Sequence, residues 1–353
     1  MTYYIFTLVF FLFDYFILAM GLNIQYGVTG ILNFAYIGFV AIGAYVTGVA
    51  AMPAHTQGQQ YILGLGLPFP LNTLLGGFAA MALALVVALI TLRRLRTDYL
   101  AIVLISLSLV FYDFTNNYVS LFNGADGLYN VPAPFAKSLG LGPNSFIVFF
   151  ACLTGVIALI MWFVMARIVH APLGRTLRSI RDDQVAAAAL GKDTFRMQLK
   201  SMMIGSFFAG IGGGLLIQFG GSFNGSAWLP GETFVVFAVL IVGGAGSNIG
   251  MLVGALLVET LLIHLPAFLP EIPGHPGLIE YFDLAVVGVV LMLMLWFRPQ
   301  GVVPPRVRRT TSFGVAERPD AEAGQLDQTA AIAAAPAAPS QRVMVRGVGD
   351  GGG

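Results

Sequence analysis

The sequence predicts an all-α, polytopic integral membrane protein with about nine transmembrane helices, some short or re-entrant, and one helix lying at the cytoplasmic face. Three observations lead there. Of the 353 residues, 57% are hydrophobic and only 10% are charged, whereas a soluble domain carries about a quarter of its residues as Asp, Glu, Lys and Arg. Mean hydropathy is +0.83. The apolar residues come in long unbroken runs, and the few charges are grouped between them.

Runs long enough to span a bilayer, about 20 residues each, fall near 3–25, 30–52, 70–92, 99–118, 145–168, 200–220 and 281–297. The first lacks a basic n-region and leads into more membrane, so it reads as a span and not as a removable signal. Beyond Arg298 the character changes. Residues 310–353 are rich in Ala, Pro and Gly without periodicity and are expected to be a disordered cytoplasmic tail, leaving 1–309 as the membrane domain. The single Cys152 permits no internal disulfide.

Basic residues orient the chain. Arg93, Arg94 and Arg96 form one cluster. Arg167, Arg175, Arg178, Arg181, Lys192, Arg196 and Lys200 form a second, and Arg298, Arg306, Arg308 and Arg309 a third. By the positive-inside rule all three face the cytoplasm, and the loops at 53–69, 119–143, 221–231 and 267–280 face outward. The stretch 232–266 then begins and ends outside. It is too long for one crossing and must turn back at Gly243–Gly250 as two short helices or a re-entrant pair. No charge fixes the direction of the first segment.

Four features bear on chemistry. Gly21-Leu-Asn-Ile-Gln-Tyr-Gly-Val-Thr-Gly30, with Asn33 beyond it, interrupts an apolar region with amides and glycines. Irregular backbone at membrane depth is tolerated against protein or a wet cavity, and broken helices often end at a transport pathway. A turn between spans, with Asn23 and Gln25 bonding between helices, explains it equally well. The second feature is the polar loop 170–200. Pro172 opens it, Leu173, Leu177 and Ile180 recur at helical spacing, and Arg175, Arg178 and Arg181 take the opposite face. Asp182 or Asp183 can cap a short helix through Leu190, which Gly191 stops. Such a pair suits docking into a cytoplasmic partner or resting on lipid headgroups.

The third feature is a ladder of small residues, Ser201, Gly205, Ala209 and Gly213, which permits close helix packing in lipid. The fourth is the intramembrane acids Asp14 and Glu259, each costing on the order of 3 kcal/mol at the bilayer centre unless satisfied. A proton- or ion-coupled secondary transporter would use them, yet every Lys and Arg lies in a loop, at a span end or in the tail. There is no phosphate-binding Gly-x-x-x-x-Gly-Lys-Ser/Thr loop and no metal or nucleophile motif. No catalytic residue, metal, cofactor or nucleic-acid partner is therefore expected.

In order along the chain, Gly21–Phe34 with Ile42–Tyr45, Tyr99–Val103, Asn123–Leu128, Gly174–Asp182 with Ala186, Ala187 and Gly191, Gly243–Ser247 with Gly250 and Gly254-Ala255, and Phe297-Arg-Pro-Gln-Gly301 resemble the blocks of the branched-chain amino-acid ABC permeases, LivM-type. The resemblance covers residues 21–301. It implies a permease subunit of an inner-membrane importer for branched-chain or related amino acids. Its implied partners are a LivH-type permease, two cytoplasmic ATPases, a periplasmic solute-binding protein and membrane lipid. It implies an ATPase-coupling role for Arg175, Arg178, Arg181, Asp182, Ala186, Ala187 and Gly191. Asn23, Gln25, Thr29, Asn33 and Tyr36 are the expected pathway lining. The sequence departs from the family at Ala35-Tyr36, where Gly-His is common, so urea, short amides and aliphatic or aromatic amino acids all stay open as cargo.

Overall fold

The computed structural model describes residues 2–53, 64–93, 97–136, 138–229, 231–264 and 278–304. The tail at 310–353, Lys137 and Glu271 lie outside them. The described residues are helical apart from turns, loops and two isolated bridges, Pro53 with Leu65 and Leu128 with Phe223.

α1 (Thr2–Leu22) carries Asp14 as its one charged residue and continues through a π-helical stretch, Asn23–Val28. α2 is Tyr36–Ala51, α3 Leu71–Thr91, α4 Thr97–Asn117, and α5 the single turn Val119–Phe122. α6 (Pro143–His170) starts with proline in its first turn, where no N–H is needed. Pro172 cannot continue that helix, so Ala171 is extended and Pro172 opens α7 (Pro172–Asp182). α8 is Gln184–Ala189 and α9 Thr194–Gly220, capped at its N-terminus by Asp193 and at its end by Gly221 at φ 66°. α10 (Gly231–Gly243) and α11 (Asn248–Gly254) follow, α11 running into a π-helical segment Ala255–His264, and α12 is Leu278–Phe297.

Among the described residues, Tyr3–Val28, Leu71–Thr91, Tyr99–Asn117, Pro143–His170 and Thr194–Gly220 are long and apolar enough to cross a membrane. The helices flanking the glycine-rich turn meet at 117° and count as a sixth span if taken together. The reversal expected within 232–266 is thus present. The expected run 30–52 is shorter as a helix: α2 has 16 residues, about 24 Å at 1.5 Å per residue, against a hydrocarbon core of about 30 Å. Residues 29–35 stay non-helical. Gly30 sits at φ +83° and the Asn33 side chain takes the Ala35 N–H, diverting backbone from the helix.

α9 is the core of the bundle, buried along most of its length against α1, α2 and α3. Glycines make this possible. A Cβ on Gly210 would meet the backbone of Gly76 and Gly77 in α3, and one on Gly213 the Val40 carbonyl in α2. α4 and α6 instead turn large apolar side chains outward, among them Ile102, Leu109, Leu159, Ile160 and Phe163, as lipid-facing helices must.

The described members of the basic clusters gather at one end. The Arg93 guanidinium stacks 4.9 Å over the Phe195 ring, joining the end of α3 to the start of α9. The chain after α12 pairs with the end of α10, Val302 N–H to the Val242 carbonyl at 2.8 Å and Val303 N–H to Gly243 at 3.1 Å. Arg181 donates to the Gly27 carbonyl, so α1 also finishes here, which gives the first segment the direction its sequence lacked. At the opposite end, Leu128 and Phe223 exchange two 2.7 Å backbone hydrogen bonds, and Val131 reaches Gly221.

Candidate functional site

The interrupted segment after α1 and the small-residue ladder of α9 form one site. Gly21 and Gly205 let the helix backbones touch. One turn further, the Gln25 amide donates to the Met202 carbonyl at 3.0 Å and the Ser206 hydroxyl at 3.4 Å, while its oxygen accepts from Asn33 at 2.8 Å. The Thr29 and Ser201 hydroxyls lie 2.7 Å apart and 2.8 and 2.9 Å from the Ile24 carbonyl, a triangle in which one hydroxyl donates to the other and the second donates to the carbonyl. The Tyr36 hydroxyl donates to the Leu18 carbonyl at 2.7 Å. Thr233 of α10 donates to the Phe34 carbonyl at 3.3 Å and accepts from Ile37 N–H.

All five expected pathway residues, Asn23, Gln25, Thr29, Asn33 and Tyr36, are buried, and all are hydrogen-bonded within this knot or beside it. In this conformation they tie α1, α2, α9 and the α10–α11 turn together. Ser206 and Thr233 belong to the same knot, although the sequence reading passed over them. Ser206 lies one residue beyond the ladder position Gly205, where an amide partner for Gln25 could have been sought.

Asn23 faces away from α9. Its Oδ1 accepts the Gly246 N–H at 2.7 Å and its Nδ2 donates to Asn248 Oδ1 at 3.3 Å. It therefore grips the turn between α10 and α11. That turn is built for close packing: Gly244 and Gly246 have φ of +110° and +94°, Ser247 caps α11, and Gly243 lies against Gly250 and Gly254.

The polar loop forms the compact helix pair its pattern predicts. Gly174, Leu177 and Ile180 are buried on the inner face of α7. Asp183 is the residue that caps α8, accepting from Val185 and Ala186 N–H at 2.8 and 2.9 Å. Gly191 ends it at φ +76°. The expected coupling residues divide. Arg178 turns back, donating to the Val169 carbonyl at 2.6 Å and to Gly174 at 3.2 Å, and so closes the end of α6. Arg181 reaches Gly27, and Ala187 is buried. Arg175, Asp182, Ala186 and Gly191 are exposed without such ties, and Arg178 and Arg181 are exposed too beyond the bonds they make. Beside them Val185 and Leu190 are 79% and 80% exposed, an apolar tip that helical periodicity did not single out.

Of the intramembrane acids, Asp14 and Glu259 are both buried. Asp14 lies on the α1 face toward Gly212 of α9, and neither of its oxygens has a hydrogen-bond partner among the described residues.

The family described as the branched-chain amino acid transport system permease component matches residues 4–295. The chain is 28% identical to the high-affinity branched-chain amino acid transport system permease protein LivM of Escherichia coli, over 82% of this chain and 68% of that protein. It is 25% identical to the probable LivM permease of Methanocaldococcus jannaschii, over 83% and 91% of the two chains. It is also 25% identical to the guanosine ABC transporter permease protein NupQ of Bacillus subtilis, over 61% and 67%. No solved structure matches. With the family's pattern running through nearly all of the bundle just described, from α1 into α12, the chain belongs to the branched-chain amino acid transport permeases, the membrane-embedded subunits of ABC importers.

Proposed function

We propose that this chain is the LivM-like half of an inner-membrane importer for amino acids or chemically related small polar solutes. A LivH-type permease completes the membrane channel, a periplasmic solute-binding protein delivers the cargo, and two cytoplasmic ATPases drive it. Residues 1–309 are the permease domain and 310–353 a cytoplasmic tail, with the basic end of the bundle inside. Relatives named for branched-chain amino acids and for guanosine both match this chain, which supports a cargo set by local side chains more than by the fold.

One observation carries this reading: the exposed helix pair is hydrogen-bonded to the buried polar segment through Arg181 and Gly27. A motor gripping α7 and α8 would thereby act on the part of α1 that is irregular and polar at membrane depth. Arg175, Asp182, Ala186 and Gly191, together with Val185 and Leu190, are the surface offered to the ATPase. Arg178 and Ala187 hold the pair in shape, and Arg181 transmits. Gln25, Thr29, Asn33 and Tyr36 would line the pathway once the knot opens, because polar side chains freed from their internal partners are suited to a polar solute, whereas Asn23, expected in the same lining, is bonded to the α10–α11 turn instead.

The test is purification of the tagged chain in detergent with its neighbours expressed, followed by reconstitution. Co-purification of a related permease and two ATPases, with uptake that needs ATP and the binding protein, is the expected result. Uptake by this chain alone, independent of ATP and abolished by an uncoupler, would instead support the ion-coupled alternative centred on Asp14 or Glu259.

A further inference from the structure

We infer that Asn23 is a positioning residue for transport: it passes movement of the α7–α8 pair to the bent α10–α11 pair, which makes that pair the element that moves during access switching. The inference rests on the reading of α7 and α8 as the ATPase-docking surface. It adds the route inward and its destination.

The route is short and continuous. The Arg181 guanidinium, at the end of α7, donates to the Gly27 carbonyl. Gly27 and Asn23 lie on the same π-helical stretch, about one turn apart. A Cβ built on Gly27 would collide with the Asn23 side-chain oxygen and with the Gly246 nitrogen. Glycine at 27 therefore lets three groups meet at one point: the carbonyl held by α7, the Asn23 amide, and the backbone of the turn. The Asn23 amide then holds that turn twice, at Gly246 and at Asn248.

The destination is suited to movement. α10 and α11 are joined by residues 244–247 at 117°, with two glycines at positive φ, and such positions absorb large backbone changes at low cost. α11 passes directly into a π-helical segment, a geometry that departs from regular helical hydrogen bonding and recurs at functional positions. On its other flank the turn is held by backbone pairing to Val302 and Val303 and by Gly301 lying against Gly244. Those backbone contacts fix the end of α10 and the turn to the segment that follows α12, whereas Asn23 is the side-chain tie from the α7 side. Coupling between sites is physical only where both bias one element with two arrangements; here that element is the bent pair.

The experiment uses the full complex in proteoliposomes, measuring binding-protein-stimulated ATP hydrolysis and solute uptake on the same preparation. Asn23→Ala removes both ties to the turn and leaves the exposed surface of α7 and α8 unaltered. The expected result is ATPase activity within about twofold of wild type, with solute moved per ATP reduced about tenfold or more. Asn23→Asp, which keeps an acceptor for Gly246, should recover part of the ratio. Should Asn23→Ala fail to assemble, Asn23→Ser carries the same test, since its shorter side chain stays polar but withdraws from the turn.

Wild-type transport per ATP in these variants would overturn the inference. So would a parallel loss of hydrolysis and uptake, which would make Asn23 a residue of docking or folding. Failure of the ATPases to bind the wild-type chain is a different outcome and would overturn the proposed function itself.

Discussion

Gly21 of α1 and Gly205 of α9 touch through their backbones: a methyl group on Gly21 would run into the Gly205 carbonyl, and one on Gly205 into the Gly21 carbonyl. Without a hydrophobic drive between helices in lipid, such close approach is what holds them together. Gly205→Leu should therefore force α1 off α9 and separate Gln25 from Met202 and Ser206. The expected cost is about 1–3 kcal/mol from overpacking, with more from the lost knot, read as a lower melting temperature of the purified chain in detergent. A variant that melts like wild type would mean the two helices are not packed at this point.

Arg175 and Arg178 are one turn apart on α7 but have different work. Arg178 binds the Val169 and Gly174 carbonyls, while Arg175 is exposed with no partner among the described residues. Arg178→Ala should destabilise the isolated chain by about 1–2 kcal/mol, the scale of a hydrogen bond from a charged donor that is only partly buried. Arg175→Ala should leave melting unchanged and weaken ATPase binding. Equal thermal shifts from both would remove this division.

Val185 and Leu190 project from α8 almost fully exposed. A charge there should be harmless to the chain alone and damaging to a complex that buries the tip. Leu190→Glu is expected to insert and melt normally but to lose ATPase subunits on affinity purification. Full retention would place the interface elsewhere.

Gly191 has open space around the position of a Cβ and a φ of +76°, so the barrier to substitution is backbone strain and not crowding. Asn tolerates this region better than a β-branched residue. Gly191→Asn should retain ATP-driven uptake, and Gly191→Val should lower it with normal insertion. Uptake unchanged by Val would show that the turn after α8 is not needed for coupling.

Much of the architecture was legible in the residues. Apolar runs and grouped arginines gave the helical spans and their common basic end, and the length of 232–266 against its two outer ends required the reversal at Gly243–Gly250. Asp182 or Asp183, and Gly191, announced the limits of α8 through ordinary cap chemistry, and the structure uses Asp183. The mating of the polar segment with the α9 ladder was not legible. Thr29 and Ser201 are 172 residues apart, and no local period encodes which small face meets which amide. Nor could spacing tell that Arg178 and Arg181 are spent on backbone carbonyls, since that depends on how Pro172 aims α7 beneath α6. The shortened α2 was hidden because Thr29–Ala35 is apolar enough to pass for the start of a span.

The central claim is that the α7–α8 pair lies at the inner face, where an ATPase can hold it. Leu190→Cys in a Cys152→Ser background, treated with a membrane-impermeant maleimide, tests it most directly. Labelling in inside-out vesicles only, with protection when the ATPase subunits are bound, is the expected result. Labelling of intact cells from outside would leave the helix pair beyond reach of any cytoplasmic motor and contradict the claim.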